Sequence, residues 1–94
     1  MHVAIVCLDK PDHGAVRAEN RPAHLDYLKN HEPQILAAGP LLSDDGTAPV
    51  GSLLVMEFDD LDEARRFAEG DPYAKAGLFK VVNICPWRKV FPAA

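Results

Sequence analysis

The chain has 94 residues, 48% of them hydrophobic, and carries a formal net charge of -4. This length predicts one domain over residues 1–94, with enough apolar residues for a core and a surplus for an interface. The net negative charge and the scattered Lys and Arg residues exclude the basic surface patch of a nucleic-acid-binding protein. No apolar run approaches the ~18 residues of a membrane span, so we expect no membrane insertion.

The start of the chain and its cysteines indicate a reducing compartment. Strand-like residues begin at once, without the basic segment and cleavage site of a signal peptide. Cys7 and Cys85 are too few for a disulfide scaffold, and both lie in apolar strand-like runs. We expect two buried free thiols in a cytoplasmic protein, with a cross-strand disulfide or a reactive thiol as the alternative.

The first predicted elements are a strand and a helix. Residues 2–9 are rich in β-branched side chains and run into turn-forming residues, which predicts a strand. Residues 13–20 are polar and fit either a loop or a short helix. Pro22 fits the first turn of a helix, where its missing N–H costs nothing, with Asn20 or Arg21 as the cap.

That helix has a short apolar stripe and a defined end. Leu25 and Leu28 make the stripe, and Pro33 marks the end of the helix. Residues 34–42 are predicted to form the second strand. Its Gly39-Pro40 pair indicates a bulge or a position at the edge of the sheet.

A hairpin and a second helix follow. Residues 43–46 form a strong turn signal before a third strand over residues 50–58. Asp60 with Glu63 three residues later has the form of a capping box. The apolar residues of this helix share one face: Leu61, Ala64, Phe67 and Ala68.

The C-terminal elements are a short helix and a last strand. Gly70 is a natural residue to follow the end of the second helix. Asp71-Pro72 then restarts a short helix, which Gly77 closes. Residues 79–87 are predicted to form the last long strand, and residues 88–91 to add a short edge.

The element order β-α-β-β-α-β predicts an α+β, ferredoxin-like fold, in which a four-stranded antiparallel sheet carries both helices on one face. The first and third strands are apolar on both faces. On the first strand, one face carries Val3, Ile5 and Cys7 and the other carries Ala4, Val6 and Leu8. On the third strand, one face carries Leu53 and Val55 and the other carries Leu54 and Met56. Two helices cover only one face, so we expect a homodimer through the other.

His24 and Asp71 are the candidate catalytic residues. His24 lies at the margin of the helix face that meets the sheet, where an imidazole can reach a cleft and transfer protons near neutral pH. Asp71, before a proline that opens a helix, is predicted to be an N-cap. One carboxylate oxygen can accept the backbone N–H and the other an imidazole N–H. Purely structural roles for both residues remain the alternative.

Three further residues are candidates for substrate binding. Arg21 either clamps an anionic small organic molecule or is solvated, and Ser52 either lines the pocket or bonds locally. Tyr73 either donates a hydrogen bond or packs as an aromatic. The histidines lack metal-ligand spacing, and there is no phosphate loop or dinucleotide fingerprint, so we expect no metal and no cofactor.

The motifs and their order resemble the YciI-like family along nearly the whole chain. They are Arg21-Pro22-Ala23-His24-Leu25, Ala38-Gly39-Pro40, Gly51-Ser52, Asp71-Pro72-Tyr73 and Cys85-Pro86-Trp87. The resemblance implies a ferredoxin-like fold that dimerises, within the dimeric α/β-barrel superfamily, which includes muconolactone isomerase-like enzymes and small monooxygenases. It also implies a His–Asp site, which falls on His24 and Asp71.

Three functions compete at this point. The first is a cofactor-independent enzyme of the isomerase or lyase type, using the His–Asp pair for acid–base chemistry on a small organic molecule. The second is a non-catalytic ligand-binding or regulatory module with the same cleft. The third is a structural partner domain. The sequence does not identify a substrate.

Overall fold

The computed structural model describes residues 1–93, which contain four strands, three α-helices and one 3-10 turn. In chain order these are β1 (His2–Asp9), α1 (Gly14–Lys29), the 3-10 turn (Glu32–Gln34), β2 (Ile35–Leu42), β3 (Pro49–Glu57), α2 (Leu61–Gly70), α3 (Pro72–Lys75) and β4 (Phe79–Pro86). The sheet order is β2-β3-β1-β4, with every neighbouring pair antiparallel. The predicted ferredoxin-like arrangement is confirmed.

Helix α1 begins eight residues earlier than predicted, at Gly14 instead of Pro22. Pro22 lies inside the helix, and the N-cap is His13, so the prediction of Asn20 or Arg21 as cap was wrong. The first turns of α1 have no apolar stripe, because the residue that they bury is Arg17, which is hydrogen-bonded to Asp9 and Ser52. Without an apolar period, residues 13–20 fitted a loop as well as a short helix, and the structure has a helix there that continues into the predicted one.

The core lies between the helices and one face of the sheet. Its buried residues are Val3, Ile5, Cys7, Leu54, Met56, Phe58, Ala64 and Phe67. Helix α2 contributes its apolar face to this core, as predicted. The Asp60 cap is also confirmed, because its carboxylate accepts the Glu63 N–H. The Glu63 carboxylate in return accepts the N–H of Asp59, one residue before the cap.

The end of α2 differs from the prediction. Gly70 is the last residue of the helix, and Asp71, in extended conformation, follows it directly. A Cβ atom at Gly70 would lie 2.6 Å from the Tyr27 hydroxyl, which donates a hydrogen bond to the Phe67 carbonyl. The glycine therefore allows α1 and α2 to approach closely, instead of supplying a left-handed cap.

The remaining predictions for the strands are confirmed in part. Strand β2 is an edge strand and has register irregularities against β3. Residues 88–91 do not extend the sheet, since β4 ends at Pro86. The prediction of a short edge there was wrong. No helix within residues 1–93 is long and apolar enough to cross a membrane.

The sheet face away from the helices is apolar, and its leucines are uncovered in the single chain. The register places Val6 opposite Leu53 and Ala4 opposite Val55 on this face. Leu53 retains 41% exposure and Leu8 43%. We call this surface, formed by Ala4, Val6, Leu8, Leu53 and Val55, the open face.

The two cysteines lie on opposite faces of the sheet. Cys7 is a buried free thiol, as predicted, but Cys85 is exposed. Cys85 pairs in register with Ala4 and so shares the open face, whereas Cys7 belongs to the core. The prediction that both thiols are buried was wrong for Cys85, because no helix covers its face.

Candidate active site

The site is built around a hydrogen bond between His24 and Asp71. His24 Nδ1 lies 2.8 Å from Asp71 Oδ1, and both residues are buried. The same Oδ1 accepts the Tyr73 N–H at 2.9 Å, which makes Asp71 the N-cap of α3. One oxygen therefore accepts both bonds, contrary to the prediction that each oxygen accepts one. His24 is also buried more deeply than the predicted position at the helix margin.

Tyr73 packs directly against the histidine. Its ring stacks on His24 with centroids 4.0 Å apart, and the guanidinium carbon of Arg17 lies 4.6 Å from the Tyr73 ring centroid. Because residues 17 and 24 are two helical turns apart, the tyrosine ring fits between them. Burial raises the pKa of Tyr73, and the positive charge of Arg17 opposes that shift. The phenol therefore stays neutral at physiological pH.

Sequence reasoning missed Arg17 and its partner Asp9. Arg17 Nε and Nη2 donate to the two carboxylate oxygens of Asp9 at 2.7 and 2.9 Å. Nη2 also donates to Ser52 Oγ at 3.0 Å. Although burial alone would lower it, the hydrogen bonds and charge of Asp9 raise the pKa of Arg17. One signal was present, since a helix continued back from His24 places Arg17 two turns earlier on the same face.

The sheet register explains why these residues meet. Ser52 is opposite Cys7 in the β1–β3 pair, and Asp9 lies two residues beyond Cys7 on the same face. Gly51 precedes Ser52, and a Cβ atom there would collide with the Cys7 carbonyl oxygen. Ser52 lies inside β3, which begins at Pro49.

A cavity of about 540 Å³ lies between α1 and strands β2 and β3. Its polar lining residues are Arg17, Arg21, His24, Ser52 and Tyr73. The four predicted residues His24, Arg21, Ser52 and Tyr73 thus share one cavity, and Asp71 is attached to it through the imidazole. Since Asp71 occupies Nδ1, Nε2 is the nitrogen of His24 available to a ligand.

The other walls of the cavity are largely apolar. They include Leu25, Leu28 and Leu54 from the helix and the sheet, and Pro40 from β2. Leu25 was predicted to face the sheet with Leu28, but it is 44% exposed and lines the cavity. Arg21 is exposed and forms no ion pair with any residue of the described range. The cavity therefore combines apolar walls with an unneutralised cation, which suits a small acidic organic molecule.

Cys7 is close to the site but is not a nucleophile. Burial, followed by the negative charges of Asp71 and Asp9, raises its pKa to about 12. The sulfur therefore remains a thiol at neutral pH. Within residues 1–93, no three His, Cys, Asp or Glu side chains cluster closely enough to hold a metal ion.

Comparisons with known proteins assign the family. Residues 1–88 match the YCII-related domain. The YciI proteins of Escherichia coli and Shigella flexneri are each 37% identical over 98 residues, covering 97% of this chain and all of the relative. This chain belongs to the YCII-related family. An uncharacterized protein of Haemophilus influenzae is 34% identical over the same share of both chains.

Solved structures show the same fold. The chain is similar to the 5-chloro-2-hydroxyhydroquinone dehydrochlorinase TftG of Burkholderia phenoliruptrix, solved in complex with 2,5-dihydroxybenzoquinone. The TM-score is 0.88 and the identity 37%, over 94% of each chain. An antibiotic biosynthesis monooxygenase of Nitrosomonas europaea, described as putative, shares the fold at 19% identity, with a TM-score of 0.56 over 99% of this chain and 93% of that one.

Proposed function

We propose that this YCII-related protein is a cofactor-independent enzyme of the lyase or isomerase type, acting on a small organic molecule in the cavity beside α1. The observation that carries the proposal is the imidazole of His24, which lines the cavity while a buried carboxylate holds its Nδ1. A buried His–carboxylate pair in a concave pocket is an arrangement suited to proton transfer.

The proposed roles follow from this geometry. Asp71 accepts the Nδ1 hydrogen, which leaves the lone pair on Nε2 directed to the ligand. Nε2 takes a proton from an acidic carbon or hydroxyl group, and Asp71 stabilises the imidazolium that forms. The imidazolium then returns the proton elsewhere on the ligand or to water. Such positioned acid–base catalysis typically gives a rate enhancement of ~10²–10⁴-fold. This enhancement is enough only for a substrate that is already acidic.

The proposal also includes a class of substrate. TftG, named as a dehydrochlorinase of 5-chloro-2-hydroxyhydroquinone, is similar over 94% of this chain. We therefore propose oxygenated rings with ionisable hydroxyl groups as the first class to examine. The apolar walls fit a ring, and Arg21 with Ser52 offers polar contacts to its oxygens.

The test is turnover by the purified protein against chlorinated hydroxyhydroquinones, enols and lactones. We expect His24→Ala to lower any turnover by ~10²-fold or more. His13→Ala is the matched control, since the only hydrogen bond of the His13 imidazole within the described residues is to the Pro11 carbonyl, and His13 does not line the cavity. Turnover that survives His24→Ala would contradict the proposal. A ligand that stabilises the protein but is recovered unchanged would favour the non-catalytic binding module.

We also propose that the protein is a homodimer, joined through the open face. This face is apolar on two adjacent strands, and the half-exposed Leu53 and Leu8 are the large side chains that a partner would cover. A second copy presents the same surface, so a two-fold axis brings like residues together. Burial of such a face is the usual reason for a sheet that is apolar on both sides.

A further inference from the structure

The C-terminal segment carries the most exposed apolar side chains of the described residues. Phe91 is 83% exposed and Val90 62%, whereas no other large apolar side chain in residues 1–93 exceeds 51%. The exposed Trp87 precedes them, and we call residues 87–91 the C-terminal arm. Single apolar residues are normal on a protein surface, but a contiguous group of them is typical of an interface.

The C-terminal arm begins at one end of the open face. The Trp87 N–H donates to the His2 carbonyl at 2.9 Å, which extends the pairing of β1 with β4 by one residue. Because side chains alternate along a strand, His2 lies on the same face as Ala4. The Trp87 ring lies beside the His2 ring, with centroids 6.1 Å apart. Trp87 therefore continues the open face, and residues 88–91 leave the sheet from that position.

The composition of the C-terminal arm is that of a strand, but the single chain gives it no neighbour. Val90 and Phe91 are residue types that favour strands, yet β4 ends at Pro86. Within residues 1–93, no backbone hydrogen bond joins residues 88–91 to another element. The single chain thus neither pairs this segment nor buries its two apolar side chains.

The open face is too small to hold a stable dimer by itself. A standard interface buries about 800 Å² on each partner and takes roughly 20–30 residues from each. The open face consists of a few side chains, of which Ala4 is already buried and the two leucines are less than half exposed. An aromatic side chain buries roughly 150–250 Å², so Phe91 and Trp87 offer more apolar area than both leucines together.

We propose that the C-terminal arm of each copy packs on the open face of a second copy of this chain, with Phe91 as the main contact. This inference rests on the proposed dimer and adds a second element to its interface. Phe91 lies four residues beyond Trp87, and an extended chain rises ~3.3 Å per residue, so the arm spans roughly 13 Å. Packed sheets lie about 10 Å apart, and the arm is therefore long enough to reach the facing sheet. Two-fold symmetry makes the contact twice.

A second apolar surface is the competing position for the C-terminal arm. A groove of about 500 Å³ lies between α2, α3 and β4, and its apolar lining residues are Ala68, Ala74, Val82 and Ile84. Val82 pairs in register with Cys7, so this groove lies on the helix side of the sheet. Trp87 lies on the opposite side, beside His2. The open face is favoured because it is continuous with the first residue of the arm.

The first test is the dissociation constant of the dimer, measured by analytical ultracentrifugation of the full chain. We expect Phe91→Ser to raise this constant by ~10²-fold or more, because a buried aromatic anchor is lost twice in a symmetric dimer. Phe91→Leu should stay within about tenfold of the wild type, since it keeps most of the apolar contact. Val82→Ser is the control and should dimerise as the wild type does, because Val82 is exposed on the helix side.

The second test locates the contact. The photoreactive residue p-benzoylphenylalanine in place of Phe91, in a mixture of isotopically heavy and light chains, reports by mass spectrometry which chain and which peptide it touches. We expect crosslinks between heavy and light chains that end on the open face, at the peptide containing Leu53. Folding is not at risk, because Phe91 packs against little in the single chain.

Crosslinks confined to one chain, or crosslinks between chains that end in the groove beside Val82, would overturn the inference. A Phe91→Ser variant that dimerises with wild-type affinity would also overturn it. If Leu53→Glu were monomeric in that case, the dimer through the open face would stand without the arm. A wild-type chain that remains monomeric would overturn both proposals. The turnover of His24→Ala tests the catalytic proposal separately.

Discussion

At the scale of single residues, Asp71 connects the folding of the chain to its proposed chemistry. One of its oxygens accepts both the backbone N–H that starts α3 and the imidazole of His24. Both residues were recognisable as candidates from the sequence, because Asp before Pro is a local cap signal and the histidine belongs to a short motif. The sequence did not identify Arg17 or Asp9, which pair with each other, while Arg17 also contacts Ser52 and the Tyr73 ring.

The two roles of Asp71 are separable by substitution. Asn is about as good an N-cap as Asp, so we expect Asp71→Asn to keep the stability of the protein within about 0.5 kcal/mol. Turnover should still fall by ~10²-fold or more, because a neutral amide does not stabilise imidazolium. Asp71→Ala should lose turnover and also about 2–4 kcal/mol of stability, because it removes both the cap and the acceptor of the buried His24 Nδ1. Urea unfolding and turnover of both variants test this, and full activity in Asp71→Asn would contradict it.

At the scale of elements, the strands and α2 were predictable, and the first half of α1 was not. The apolar face and cap of α2 are local patterns, and both are confirmed. Helix α1 buries Arg17 and His24 rather than an apolar stripe, so its periodicity is weak and the sequence predicts its start only at Pro22. A helix that lines a cavity lacks the continuous apolar face by which helices are recognised.

The contact between α1 and α2 gives a prediction at this scale. A Cβ atom at Gly70 would meet the Tyr27 hydroxyl, so we expect Gly70→Ala to destabilise the protein by about 1–3 kcal/mol, although alanine favours helix. Gly14→Ala is the control, because a Cβ atom there meets nothing within 4 Å, and its stability should be unchanged or higher. Combining Gly70→Ala with Tyr27→Phe should restore part of the loss. Thermal unfolding measures all three, and a fully stable Gly70→Ala would refute the packing argument.

At the scale of the whole molecule, the open face predicts association. Leu53→Glu places a charge in the proposed dimer interface and should give a monomer in sedimentation analysis, because an unpaired charge there opposes burial. Val82→Glu is the matched control: Val82 is as exposed as Leu53, at 43% against 41%, but pairs in register with Cys7 on the other face. A wild-type protein that sediments as a monomer, or a dimeric Leu53→Glu variant, would exclude the proposed interface.

The free energy of unfolding should decrease at alkaline pH because of the buried thiol of Cys7. The folded state raises the pKa of this thiol from 9.0 to about 12, mainly by burial. The folded chain therefore holds a proton that the unfolded chain releases, so stability is complete below about pH 9 and declines as pH rises toward about 12.

We expect a loss of about 1 kcal/mol between about pH 8 and pH 10, measured by urea unfolding at both values. Cys7→Ala should lose less than the wild type over this interval, because it has no thiol to ionise. Cys85→Ala should lose as much as the wild type, since it retains the buried thiol. Identical pH dependence in Cys7→Ala and wild type would show that this thiol does not contribute.

The sequence by itself determined the order of the elements, the apolar faces of the strands and the cap at Asp71, because each of these is set by residues a few positions apart. Only the tertiary structure decided that His24 meets Asp71, 47 residues away, and that Arg17 joins β1 to β3 beside the same cavity. These contacts depend on how α1 packs over the sheet and against α3. That packing is set by long-range shape and polar pairing, which leave no periodic trace in the order of residues.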